Sequence, residues 1–324
     1  MGFELRHDQL QQWPVVEVVE EGACRMRVAL RGATLLCANA RAPDGRLVEL
    51  IDGYREGAEL ATLDAARSAL MAPFSNRIND GRYRFDGDLL RLPVVEGEGH
   101  AMHGVVRGLD WRLRDAVLEP DHAELVFETR ITPRALSGYP FEIICLTSFS
   151  VDRKGLSWSF EARNLGRLDA PFGCGWHPYL LPPGGDLDAC QVRLPACRRV
   201  ICDARRIPLP GDEAYAVCDE TKLALAGRAL DDCFYDLEPD ADGWLRTRLE
   251  APDCGLAVVL AQPSGAVQLY TGDSLGARRR QSIAIEPTEF PPDSFNRDEF
   301  AAALRLAPGG RRSFGARLSL EALA

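Results

Sequence analysis

The chain has 324 residues, 46% hydrophobic and 27% charged, the balance of a globular protein with a large core. Its net charge of −10 disfavours nucleic acid or an anionic membrane as the main partner. Its ten cysteines are scattered without a Cys-x-x-Cys pair, so a zinc ribbon or thioredoxin-type site has no support.

The opening residues, from Met1 to Arg6, lack the basic and then apolar pattern of a secretory signal, and no apolar run approaches bilayer-spanning length. A reducing cytoplasm is therefore expected, with Cys37, Cys145 and Cys254 read as small buried side chains. Strand signals follow in order over 15–19, 24–30, 47–51, 123–131, 141–151, 156–163, 256–261 and 267–271, rich in β-branched, aromatic and other apolar residues. Within 156–163, Leu156, Trp158 and Phe160 share one face while Ser157, Ser159 and Glu161 share the other. Helical periodicity is confined to 59–70 and 299–304. Pro308, Gly309 and Gly310 form a turn before a last strand over 314–320, expected to close the sheet. Many strands without intervening helices predict an all-β fold, a large antiparallel β-sandwich with few short helices, as a single domain over 1–324.

Four segments carry candidate chemistry. Asn76-Arg77 follows the extended Pro73-Phe74-Ser75, and a planar guanidinium suits vicinal hydroxyls; a hairpin with a surface arginine is the plainer alternative. His100 and His103 are three apart, without the His-x-x-x-His and glutamate of a helical zinc site; Gly99 and Gly104 suggest a turn admitting only one of them. In Trp176-His177-Pro178-Tyr179, the proline keeps His177 out of the α region, and Trp176 or Tyr179 could stack on a ring-shaped ligand; a core aromatic cluster is the alternative. Glu286 follows the apolar Ile283-Ala284-Ile285, a setting that raises a carboxyl pKa towards that of a general base; an ion pair with an arginine is the alternative. His7 and His122 are read as solvated. With no P-loop, no dinucleotide fingerprint and no Gly-x-Ser-x-Gly elbow, no cofactor is expected.

Taken together, Asn76-Arg77-Ile78, His103-Gly104 followed by Trp111, His177-Pro178-Tyr179, Leu230-Asp231-Asp232-Cys233-Phe234 and Glu286 with its Pro291-Pro292-Asp293 tail resemble the aldose 1-epimerase (mutarotase) family. The resemblance implies a β-supersandwich with a cleft for one monosaccharide, and cofactor-free interconversion of the α and β anomers of a free sugar. It implies Glu286 as general base, His177 as general acid and His103 beside the same ring oxygen. Arg77 and Asp231 would bind sugar hydroxyls with Asn76 nearby, and the reading of Trp176 as a ring-stacking residue is kept beside them. Family members acting on hexose 6-phosphates use extra arginines, for which Arg82, Arg107 and Arg134 are the candidates. A sugar-binding protein without turnover and a metal-dependent isomerase using His100, His103, His177 and Glu286 are the other readings. The oligomeric state is left open by the sequence.

Overall fold

The computed structural model describes residues 2–323; Met1 and Ala324, the ends of the expected domain, lie outside it. Three large sheets dominate, and every strand pair within them is antiparallel. The longest runs Arg112–Leu118, His122–Ile131, Ile143–Asp152, Gly155–Asn164, Arg311–Ala322, Leu256–Gln262, Leu245–Ala251, Gln191–Arg193 and Lys222–Ala224. Alternation builds it: Leu156, Trp158, Phe160 and Ala162 are buried while their neighbours face outward. The last long strand, Arg311–Ala322, sits mid-sheet between Gly155–Asn164 and Leu256–Gln262 rather than at an edge. Its apolar residues therefore gain neighbours on both sides, which a position at the chain's end does not foretell.

A second sheet carries the site. Its order is Tyr215–Val217, Arg198–Val200, Asp231–Tyr235, Ala266–Tyr270, Ile283–Thr288, Gly175–His177 and Ala69–Met71, with Tyr179–Leu180 also on Ile283–Thr288. Aromatic rings lock the two sheets together: Trp176 lies 5.6 Å from Trp158 and 6.0 Å from Phe149 between ring centroids. A third sheet, Glu4–Leu10, Trp13–Glu20, Cys24–Ala29, Thr34–Arg41 and Leu47–Glu49, adds Val18, Met26, Val28 and Leu35 to the same core.

The helix expected over 59–70 is cut short. It runs only Gly57–Thr62, then Leu63, Ala65, Ala66 and Ser68 all take left-handed backbone before the Ala69–Met71 strand begins. Buried Arg67 holds this bend through ion pairs to Glu59 at 3.0 Å and Asp64 at 2.6 Å. The short helix near the end is present, as Ala301–Leu304 after a 3₁₀ turn. All ten cysteines are free; Cys145 is buried, whereas Cys37 and Cys254 are half-buried, lying nearer the surface than their apolar neighbours suggested. Among the described residues no helix is long and apolar enough to cross a membrane.

Candidate active site

Strand parity decides which side chains reach the cleft. Along Ile283–Thr288, Ile283 and Ile285 point into the core, so Glu286 faces the other way. It lies within the strand, not after its end as the apolar run implied, and stands opposite Gln268 on Ala266–Tyr270. Along Gly175–His177 the same rule sends Trp176 inward and His177 outward.

The first histidine arrives by a tight turn. Ala101–Met102 pairs with Arg77–Ile78, and the His103 amide donates to the Asn76 carbonyl at 2.9 Å. Asn76 and His103 both sit in left-handed backbone, at φ 53° and 56°. Gly104, at φ 62°, must be glycine because a Cβ there would lie 2.0 Å from the Ala72 carbonyl oxygen. The tail after Glu286 clamps this turn: the Asp293 amide donates to the Arg77 carbonyl at 2.8 Å, and Asp293 Oδ1 accepts from the Asn79 amide at 2.8 Å.

These elements converge on a cleft of about 290 Å³ lined by Asn76, Arg77, His103, His177, Asp231 and Glu286, among others. His177 Nε2 is 3.3 Å from Glu286 Oε1, and the two histidine rings meet edge to face at 5.2 Å. Tyr179 stacks on His177 with centroids 5.2 Å apart, and Met71 Sδ touches His103 Nδ1. Gln268 Nε2 donates to Asp231 Oδ1 at 2.6 Å, and Arg206 pairs with the same carboxylate. Arg77 reaches Glu98 at 3.3 Å across the rim. Among the described residues, the buried atoms Glu286 Oε2, His177 Nδ1 and Arg77 Nε have no hydrogen-bond partner.

Burial sets the protonation. It pushes the Glu286 carboxyl up to about 8, against the pull of Arg77. It lowers His177 to about 3 and drives His103 well below its ordinary value, with the neighbouring His177 adding to the effect on His103. Burial thus opposes charge on both members of the Glu286–His177 pair, while their contact favours opposite charges. Both effects leave the pair holding one proton at neutral pH, on the carboxyl or on the imidazole. Such a pair can give a proton at one oxygen and take one at another.

Six of the seven residues expected at the site gather here; Trp176 does not. Fully buried between the sheets, it cannot touch a cleft ligand, because its neighbour His177 takes the outward position on the same strand. Tyr179, the alternative to it, does line the cleft. His100 is turned away, its Nδ1 accepting from the Asp80 amide at 3.2 Å, so the four-residue metal set is not assembled. Arg82, Arg107 and Arg134 do not line the cleft, while Arg206, which the sequence reading passed over, does. Gln268 and Tyr270 were also missed; the signal available was parity, since both alternate with the core residues Val267 and Leu269.

Comparison with known proteins agrees with this geometry. The sequence model of the aldose 1-epimerase family matches residues 14–319. The chain is 31% identical over 232 residues to the uncharacterized protein YihR of Escherichia coli, covering 70% of this chain and 71% of that one. It is 24% identical over 334 residues to the galactose mutarotase of Rattus norvegicus, covering 95% and 90%. In fold it is similar to a galactose mutarotase-like protein from Clostridium acetobutylicum, with a TM-score of 0.85 at 16% identity over 99% of each chain. It is also similar to the GalM/aldose epimerase homologue of C. elegans, with a TM-score of 0.83 at 17% identity over 96% of this chain and 100% of the other. An antiparallel galactose mutarotase-like sandwich, with this match along nearly its whole length, makes the chain a member of the aldose 1-epimerase family.

Proposed function

We propose that the protein is an isomerase that interconverts the α and β anomers of a free aldose without a cofactor. The observation that carries this reading is the buried contact of 3.3 Å between Glu286 and His177 at the floor of the cleft, with His103 beside it. Ring opening removes the proton of the anomeric hydroxyl and delivers one to the ring oxygen as the C1–O5 bond breaks. Glu286 takes the first proton and His177 gives the second, so the pair passes from carboxylate and imidazolium to carboxyl and imidazole without changing its proton count. Rotation about C1–C2 exposes the other aldehyde face, and closure runs both transfers backwards. His103, held neutral by burial, hydrogen-bonds at the ring oxygen and steadies it during the transfer. Arg77, Asp231, Asn76 and Gln268 hold the hydroxyls, fixing the sugar between the two proton-transfer groups.

The second sheet joins Ala69–Met71 to strands as late as Ile283–Thr288, and all three large sheets share one core, which supports one domain over 1–324. The ten free thiols fit a reducing cytoplasm. Polarimetry of freshly dissolved α-aldoses tests the activity: accelerated mutarotation of at least one sugar is expected, and no acceleration across a broad panel contradicts the proposal.

A further inference from the structure

Two thiols outside the cleft face each other at the edge of the site-bearing sheet. Arg198–Val200 pairs with the edge strand Tyr215–Val217 in a register that sets Arg198 against Val217, so the next position outward sets Cys197 against Cys218. The Cys218 amide donates to the Cys197 carbonyl at 3.0 Å, which extends the ladder by that pair. Opposed residues of a hydrogen-bonded antiparallel pair have Cα atoms about 5.5 Å apart and side chains on one face, within the span that a disulfide bridges. The Cys197 thiol is already hydrogen-bonded to Cys218. The other cysteines on strands face no thiol: Cys24 lies opposite Glu20, Cys37 opposite Arg27, Cys145 opposite Thr129 and Ala162, and Cys233 opposite Gln268.

The two members are unequal. Cys197 is 8% exposed and packs in the main core, while Cys218 is half-buried and lines a hollow of about 260 Å³. Burial, reinforced by Cys218 beside it, pushes the Cys197 thiol up to about 12. A reagent from solvent therefore meets Cys218 first, and Cys197 acts only on what Cys218 has become.

We propose that Cys218 and Cys197 form a thiol modification site that takes a low-molecular-weight disulfide and converts it into a bridge within the chain. The Cys218 thiolate attacks one sulfur of the small disulfide, forming a mixed disulfide and releasing one small thiolate. Cys197 then gives up its proton and attacks the Cys218 sulfur, and the second small thiolate leaves. Two protein thiols are oxidised to one disulfide while the small disulfide is reduced to two thiols, so atoms and electrons balance. The bridge closes residues 198–217 into a loop and fastens the edge strand Tyr215–Val217, which is only three residues long and paired on one side. In a reducing compartment the pair stays as two thiols, and the bridge registers a rise in small disulfides.

The test treats the folded full chain with oxidised glutathione, quenches with an alkylating reagent and maps the peptides by mass spectrometry. A Cys197–Cys218 cross-link, lighter by two hydrogens, is expected to form at least about tenfold faster than any other disulfide within the chain, and to revert with dithiothreitol. Cys197→Ala is expected to stop at glutathione held on Cys218, and Cys218→Ser to leave Cys197 a free thiol. Thermolysin is expected to cut the bridged protein within 198–217 at least about threefold more slowly than the reduced protein. Glutathione held stably on Cys218 of the unaltered protein, another pair of cysteines bridging first, or no bridge at all overturns the proposal. Equal cutting of the bridged and reduced forms overturns the fastening of the edge strand.

Discussion

At the scale of single residues, the site depends on one carboxyl and one imidazole taken out of water together. Glu286→Gln and His177→Asn should each lower kcat/KM by about 10²–10⁴-fold, the usual worth of a positioned proton-transfer group. His103→Asn should cost less, since it keeps a hydrogen-bonding side chain beside the ring oxygen. The pH profile follows from the shared proton. Raising pH through about 8 removes it from the pair, so kcat/KM should fall on the alkaline side. Stability has its own sign. The Glu286 carboxyl titrates near 8 in the folded protein against an ordinary 4.5. Between those values the folded state binds a proton that the unfolded state does not, so this group makes stability decline as pH rises. Glu286→Gln should therefore raise stability at pH 9 by up to ~5 kcal/mol, seen as a higher melting temperature, with the gain vanishing towards pH 4.5. Calorimetry of both proteins across that range checks it; an equal or lower melting temperature at pH 9 contradicts a desolvated carboxyl.

At the scale of elements, the sequence was most readable where strands are half buried. The alternation in Gly155–Asn164 follows directly from one face meeting the core, and the structure keeps it residue by residue. Glu4–Leu10 left no such trace, because most of its side chains face solvent and pairing with Trp13–Glu20 alone makes it a strand. The helix expected over 59–70 failed for a backbone reason: successive left-handed residues redirect the chain, and alanine content does not foretell them. The histidine and glutamate segments could be picked out because glycine and proline flank them. Parity put Gln268 on the outward face but not opposite Glu286, which only register decides, and Arg206 left no signal because a loop brings it across the sheet. The turn carrying His103 is the element most open to challenge. Gly104→Ala pushes a methyl group into the Ala72 carbonyl and demands left-handed backbone of alanine. A loss of more than ~2 kcal/mol is expected in denaturant titration, with a fall in activity as His103 shifts; a change within error would show that the turn yields freely.

At the scale of the whole molecule, the two large sheets have separate duties on opposite faces. The first packs Phe149 and Trp158 between the layers against Trp176 of the second; the second turns Glu286, Gln268 and His177 outward from the same strands that supply the core. Trp176 was the misread residue because an aromatic beside a cleft histidine suits either face, and only parity within Gly175–His177 decides between them. Trp176→Phe should lower stability by about 1–3 kcal/mol through a partial cavity while leaving KM for the sugar within twofold, as unfolding curves and saturation kinetics will show. A large rise in KM with unchanged stability would return Trp176 to the cleft. The central claim is that the buried Glu286–His177 pair opens and closes a sugar ring. Exchange NMR of equilibrated aldoses tests it most directly: cross-peaks between α and β anomeric protons should grow with the wild-type protein and stay at the buffer level with Glu286→Gln. Equal exchange with both proteins, or none with either, would contradict it.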